Sequence, residues 1–178
     1  MGTEDENRLV ERAKSDADAF RQLYEKYLPR IYRYAYYRTG AREQAEDVVS
    51  QTFLRAWEYL PRYEQRGIPF QYWLYRIATN IIRSQGVKPI PVGLTWDPGI
   101  VEPVAATEKV DQRLDLLRYL RTLPDAQQQA LVLRYVQDLS VEEVAQIMGK
   151  SAGAVKQLTW RGLTNLRERM GDHAVKYG

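Results

Sequence analysis

Apolar residues recur every three or four positions through most of the chain, and no stretch alternates apolar and polar with a period of two. The pattern predicts an all-α protein. Four helices are expected before residue 86. The first is short, from about Glu4 to Ser15. The second starts after Ser15 and Asp16 and carries Phe20, Leu23, Tyr24, Tyr27, Ile31, Tyr34 and Ala35 at helical spacing. Pro29 should kink it or break a turn, and Thr39-Gly40 should end it. The third runs from about Arg42 to Leu60, with Ala45, Val48, Val49, Phe53, Ala56, Trp57 and Leu60 on one face and Pro61 as its stop. A polar loop, Arg62 to Pro69, follows. The fourth runs from Phe70 to about Arg83, with Trp73, Leu74, Ile77, Ala78, Ile81 and Ile82 as apolar positions.

The C-terminal part predicts four more helices: about Glu108 to Thr122, Pro124 to Tyr135, Val141 to Met148, and Ala152 to Met170. Between the two parts lies GVKPIPVGLTWDPGIVEPVAAT, residues 86–107, with four of the eight prolines and three glycines. No helical or strand period survives there. The expectation is two small helical domains, 1–85 and 108–178, joined by an extended Pro/Gly-rich linker over 86–107. The linker still holds Val92, Leu94, Trp96, Ile100 and Val101. It can lie along a surface or merely tether, and both readings stay open.

Composition narrows the function classes. The chain has 178 residues, 44% of them hydrophobic and 28% charged, which is the profile of an ordinary globular protein. It has no cysteine and one histidine, His173 near the C-terminus, so disulfides, thiolate zinc sites, a Cys nucleophile and multi-histidine metal sites are excluded. No cofactor or metal is expected. No apolar run approaches the ~20 residues of a membrane span, and Met1 to Arg12 is too charged for a signal peptide, so a cytoplasmic protein without membrane insertion is expected.

The net charge is +3, made of +2 over 1–85, −1 over 86–107 and +2 over 108–178. Neither end is a polycation, so binding to nucleic acid should be weak or confined to local patches. Arginine outnumbers lysine, which suits forked contacts with phosphate, carboxylate or guanine.

The sharpest local signal is a helix-turn-helix. Ser140-Val141-Glu142-Glu143 is a capping box, Val144, Ala145 and Met148 form an apolar face, and Gly149 suits a tight turn. Ser151 caps the next helix, whose inner face is Val155, Leu158, Gly162 and Leu166. Ala152, Gly153, Lys156, Gln157, Trp160 and Arg161 fall on its free face near the N-terminus. Small residues there let the helix end approach phosphate or bases. Lys156 and Arg161 can meet phosphates, Gln157 can read a base edge, and Trp160 can touch a sugar or a thymine methyl. The competing role for Trp160 is packing against the preceding helix. A purely structural helical hairpin would show similar capping.

The N-terminal part holds 15 of the 20 aromatic residues. Phe70-Gln71-Tyr72-Trp73-Leu74-Tyr75-Arg76-Ile77-Ala78-Thr79-Asn80, preceded by Arg62, Tyr63, Gln65 and Arg66, mixes aromatic faces with arginine and amides. Single-stranded bases require that mixture for stacking, cation–π contact and edge hydrogen bonds. Trp73 and Tyr75 can equally be core. The third helix carries a polar stripe of Asp47, Gln51, Arg55 and Glu58, whose plain reading is a solvated face.

The order and spacing of AEDVVSQTFLRAW, FQYWLYRIATN and SAGAVKQLTWRGLTNLR resemble the extracytoplasmic-function (ECF, group IV) sigma factors, the small alternative promoter-recognition subunits of bacterial RNA polymerase. The resemblance spans about Asp16 to Met170. It implies a sigma region 2-like N-terminal bundle that binds the clamp helices of the polymerase core. Asp47, Ser50, Gln51, Arg55 and Glu58 would form that contact, with Ser50 and Gln51 standing where the usual pattern has Gln and then Glu. It implies that the loop Arg62–Pro69 and the helix from Phe70 capture a flipped base of the minus-ten element. The residues assigned there are Arg62, Tyr63, Gln65, Arg66, Phe70, Trp73, Arg76, Asn80 and Arg83; many members carry an Asp where this chain has Ser84.

The second domain would be region 4-like. It would dock on the polymerase flap and read the minus-thirty-five duplex through Ser151, Ala152, Gly153, Lys156, Gln157, Trp160 and Arg161. The linker would thread toward the active site and RNA exit path. The implied partners are RNA polymerase core, promoter DNA in duplex and single-stranded form, and an anti-sigma factor, with a monomer when free. No catalysis is implied. Two rival readings make different demands. A self-sufficient dimeric helix-turn-helix regulator, with an N-terminal ligand-binding or dimerisation domain, would need a symmetric dimer and palindromic half-sites. An enzyme would need an acid/base constellation, metal ligands or a phosphate loop, none of which the sequence offers.

Overall fold

The computed structural model describes the backbone of residues 2–86 and 107–177 and the side chains of residues 2, 5–86 and 114–171. The linker expectation falls almost wholly outside the described residues, as does the side chain of His173. Eight α-helices are described: α1 (Thr3–Ala13), α2 (Ala17–Thr39), α3 (Arg42–Tyr59), α4 (Phe70–Gln85), α5 (Thr107–Arg121), α6 (Asp125–Leu131), α7 (Val141–Met148) and α8 (Ala152–Tyr177). No strand occurs among the described residues.

Local chemistry sets most of the boundaries. The Asp16 carboxylate accepts from the Asp18 N–H at 2.9 Å and caps α2. Gly40, at φ 75°, ends it in the left-handed region where a Cβ is penalised. Pro29 does not interrupt α2: one helix runs from Ala17 to Thr39. Pro29 is exposed while Leu23, Tyr27 and Ile31 are buried, so both halves are pinned by the core and the lost hydrogen bond falls on the solvent side. The chain passes Pro61 in a short 3-10 turn, Leu60–Arg62. Past Leu131, α6 widens into a π-helical segment, Val132–Val136, instead of continuing as one α-helix. Asp138 then turns the chain at φ 54°.

The first four helices pack around Leu23, Ile31, Tyr34, Val48, Leu74, Tyr75 and Ile81, all nearly inaccessible to solvent. Tyr34 and Tyr75 meet edge-on at 5.2 Å, and the Tyr34 hydroxyl hydrogen-bonds Thr79 Oγ1 at 2.7 Å. Tyr75 is therefore core. Burying each such ring is worth roughly 1.5–3 kcal/mol. In the second half, Leu117, Leu120, Leu133, Val144, Ile147, Val155 and Leu166 form the interior. The inner face of α8 includes buried Thr159, whose hydroxyl bonds back to the Val155 carbonyl at 3.0 Å, while Leu158 is only half-buried. At Gly162 a Cβ would lie 2.9 Å from Leu131 Cδ1, so glycine lets α8 cross α6 closely.

The two halves pack against each other, and one continuous set of buried apolar side chains runs through both. Tyr72 donates to Glu143 at 2.9 Å and Tyr75 to Gln137 at 3.0 Å. Gln128 donates to the Arg38 carbonyl at 3.2 Å, satisfying an acceptor in the last turn of α2.

Candidate nucleic-acid interface

The helix-turn-helix forms as its capping chemistry requires. Ser140 Oγ accepts from the Glu143 N–H at 3.1 Å, and the Glu143 carboxylate accepts from the Ser140 N–H at 2.7 Å. That backbone donor lowers the Glu143 pKa, helped by the Tyr72 hydroxyl and opposed by partial burial. Gly149 makes the turn at φ 63°. Ser151 Oγ accepts from the Ala154 N–H at 3.1 Å at the start of α8.

Ser151, Gly153, Lys156, Gln157, Trp160 and Arg161 are all exposed, and Ala152 is half-buried. Trp160 is 69% exposed, so it does not pack against the preceding helix. An exposed indole beside Lys156, Gln157 and Arg161 gives one helix edge stacking area, an amide and two cations, which suits a DNA groove.

A second concavity lies between the 62–69 loop and α4. Its volume is about 360 Å³, with Arg62, Tyr63, Arg66, Trp73 and Arg76 among its lining. Tyr63 and Trp73 lie 4.6 Å apart, ring centre to ring centre, and Phe70 supports both at 5.7 and 5.5 Å. Phe70 is fully buried and Tyr63 nearly so, which corrects their expected standing as open stacking surfaces: Phe70 is a floor, and Trp73 is the half-exposed ring. Burial, with Glu6 and Glu11 nearby, pushes the Tyr63 phenol up to about 12, so it stays a neutral donor, and it donates to the Ile68 carbonyl at 3.1 Å. Arg66 is engaged by Glu64 at 2.7 Å, and Gln65 donates to Asn7 of α1 at 2.6 Å. The loop is thus shaped before any ligand arrives.

The rest of the α4 stripe faces the second domain. Arg76 donates to the Ile147 carbonyl at 3.2 Å and to the Gln146 carbonyl, capping the last turn of α7. Arg83 donates to Asp125 at 2.9 Å and to Gln129 at 3.0 Å. Asn80 stays exposed between them, beside Lys150 in a shallow groove.

On α3, Asp47 accepts from Gln51 at 2.8 Å and from Gln85 at 2.7 Å. Ser50, Arg55 and Glu58 are exposed, and Gln51 is half-buried. The sequence placed Trp57 with the core, but it is 43% exposed and packs edge-on to Phe20 at 4.7 Å. Leu54, 58% exposed, lies beside it on the helix. The face is therefore mixed, apolar at Leu54 and Trp57 and polar at Asp47, Ser50, Gln51, Arg55 and Glu58. Sequence reasoning also missed Arg38, whose role comes from Asp125, 87 positions away: Arg38 Nη2 donates to that carboxylate at 2.7 Å.

Residues 23–85 match the family model of Sigma-70 region 2, and residues 119–168 match that of Sigma-70, region 4. The ECF RNA polymerase sigma factor BldN of Streptomyces coelicolor is 38% identical over 174 residues, covering 93% of this chain and 66% of that protein. The ECF RNA polymerase sigma factor SigW of Bacillus subtilis is 30% identical over 180 residues, covering 93% of this chain and 96% of SigW. Among solved structures, CnrH in complex with the cytosolic domain of CnrY shares the fold, with a TM-score of 0.74 at 22% identity over 94% of this chain and 97% of that one. RpoE of Bartonella quintana, in complex with the anti-sigma factor NepR, does so with a TM-score of 0.67 at 24% identity over 85% and 96%. These relatives favour the sigma-factor reading over the self-sufficient dimeric regulator. A region 2 bundle followed by a region 4 helix-turn-helix, with relatives of that kind along nearly its whole length, places the chain in the ECF sigma factors of RNA polymerase.

Proposed function

We propose that the chain is a group IV alternative sigma factor that joins bacterial RNA polymerase core and directs promoter recognition and melting, with no catalysis of its own. Residues 1–85 bind the clamp helices and the minus-ten element, 86–107 form the linker, and 108–178 bind the flap and the minus-thirty-five element. Asp47, Ser50, Gln51, Arg55 and Glu58 contact the clamp helices, around Leu54 and Trp57 as the apolar centre. Lys156, Gln157, Trp160 and Arg161 enter the major groove. Trp73, over its Phe70 floor, receives an unstacked base, with Arg62, Arg66 and Asn80 along the strand.

The mechanism is differential binding. A pocket that accepts a base only when it has left the duplex stabilises the melted promoter over the closed one. The duplex contact of α8 tethers the promoter and raises the local concentration of the minus-ten element at that pocket. The low net charge fits a subunit that leaves most phosphate contacts to the polymerase. An anti-sigma protein, as RpoE of Bartonella quintana has in its solved complex, would act by covering these faces, and the chain would work as a monomer in the cytoplasm.

The observation that carries this reading is the Tyr63–Phe70–Trp73 cluster, which presents one half-exposed indole beside a loop already fixed by hydrogen bonds. Trp73→Ala in the reconstituted holoenzyme should leave core binding intact and lower open-complex formation at a cognate promoter about tenfold or more, read by permanganate reactivity of unpaired thymines. Unchanged melting would remove Trp73 from the site.

A further inference from the structure

The contact between the two domains shares Arg76 and Arg83 with the stripe assigned to single-stranded DNA. Tyr72, Arg76, Thr79 and Arg83 fall on one face of α4, and each hydrogen-bonds a group of the second domain. The stripe ends at Asp125, the first residue of α6. Its two carboxylate oxygens are divided between the guanidinium groups of the first domain: Oδ1 accepts from Arg38 at 2.7 Å and Oδ2 from Arg83 at 2.9 Å.

The Arg38 side chain is 0% exposed, whereas Asp125 is 47% exposed. A cavity of about 380 Å³ adjoins this node, lined by Arg38, Arg83, Arg121 and Asp125 with Gln44 and Gln85. Two guanidinium groups therefore share one carboxylate, and a third, that of Arg121, lines the same cavity. Arg38 Nε and Arg121 Nη1 are enclosed without a hydrogen-bond partner, and burial alone pulls the Arg121 pKa down. A wholly enclosed guanidinium requires an anion. In this arrangement the second domain provides it.

We propose that Arg38 and Arg83 form a phosphate seat for the melted promoter strand, and that Asp125 occupies this seat in the free chain, so that the second domain and single-stranded DNA compete for the same face of α4. A phosphodiester presents two anionic oxygens to the same pair of guanidinium groups as the carboxylate does. It also adds the entropy of released counterions, which the carboxylate lacks. The closed chain thereby holds itself off DNA, and the apparent affinity falls by the fraction of molecules that are closed. Opening uncovers Arg38, Arg76 and Arg83 together. The inference rests on the assignment of α4 to the minus-ten strand, and adds Arg38 to it.

The full chain tests this directly, because it has no cysteine of its own to interfere with labelling. Glu25→Cys on α2 and Glu168→Cys on α8, both at exposed positions, carry a donor and acceptor dye. The probe is a mixed-sequence single-stranded DNA 20-mer. The labelled parent should show one short interdomain distance, lengthening in step with occupancy by the 20-mer. Asp125→Asn should lengthen the distance without DNA and tighten 20-mer binding about fivefold. Adding Arg38→Gln to Asp125→Asn should reverse that gain and reduce the salt slope by about 0.7, the loss of one single-strand phosphate contact.

A distance that stays short at saturating 20-mer overturns the competition. So does an Asp125→Asn chain with the parent's unfolding midpoint, distance and affinity. An unchanged salt slope on adding Arg38→Gln overturns the seat. Should Asp125→Asn fail to fold, the parent's distance during DNA titration still decides. Binding to polymerase core, measured on the same labelled chains, separates this result from the proposed function: core binding with no change in distance on adding DNA contradicts the seat alone.

Discussion

Tyr72 on α4 donates its hydroxyl to Glu143 on α7 at 2.9 Å, and Glu143 is the residue whose carboxylate closes the capping box on Ser140. One carboxylate thus fixes the start of the helix-turn-helix and joins it to the N-terminal bundle. Glu143→Ala should cost about 1–2 kcal/mol, because it removes a cap and leaves the phenol of a buried tyrosine without its acceptor. Urea unfolding monitored by helicity checks this.

The same residue gives a pH signature. Glu143 has a lowered pKa in the folded chain against an ordinary value of 4.5, chiefly through the Ser140 N–H. A lowered folded value means the ionised form binds the fold better. Its stabilisation is therefore complete above about 4.5 and is lost as pH falls through the folded value. The stability difference between the parent and Glu143→Gln should shrink as pH drops from 6 toward 3. A constant difference across that range would remove the ionised carboxylate from the account.

Gly162 is a packing residue. The Gly162 α-hydrogen that takes the place of a Cβ faces Leu131, and an added methyl would meet Cδ1 at 2.9 Å and Cγ at 3.1 Å of a side chain that is itself buried. Gly162→Ala gains about 1 kcal/mol in helix propensity but should lose about 1–3 kcal/mol to overpacking, for a net destabilisation. In a Leu131→Ala background the same substitution should be neutral or stabilising. A double-mutant cycle by urea unfolding reads the sign of that coupling.

How much of this could be read from the sequence depends on how local each cause is. Ser140, Glu143, Gly149 and Ser151 act within three or four residues of themselves, and their signals are legible as written. Gly40 is legible for the same reason. Pro29 does not end α2 because its cost is local, while the packing of Leu23, Tyr27 and Ile31 that holds both halves of the helix is not. Trp57 is misassigned because α3 has two apolar edges, one against the core and one toward solvent, and periodicity alone does not separate them. Phe70 and Tyr63 read as stacking surfaces because aromatic composition does not reveal depth. Arg38 carries no local signal at all, since its partner lies across the domain contact.

The exposed edge of α8 yields a further expectation. Lys156→Ala combined with Arg161→Ala should abolish activity at promoters that depend on the minus-thirty-five element and lower the salt slope of duplex binding by about 2, with the unfolding midpoint unchanged. Filter binding across a salt series reads the slope. An unchanged slope would relocate the duplex contact away from this edge.

Asp47 lies on the exposed face of α3 and is held by Gln51 and Gln85. Asp47→Ala should weaken binding to polymerase core about tenfold while leaving duplex DNA binding by the full chain as it is. Equal core affinity for mutant and parent, by fluorescence anisotropy, would take Asp47 out of the interface.

The most direct measurement is whether the purified chain binds bacterial RNA polymerase core, followed by co-elution on a sizing column. A stable one-to-one complex, lost when Asp47 and Arg55 are both changed to alanine, is the predicted result. A chain that ignores core, runs as a dimer and shifts promoter duplex unaided would contradict the account and restore the self-sufficient regulator.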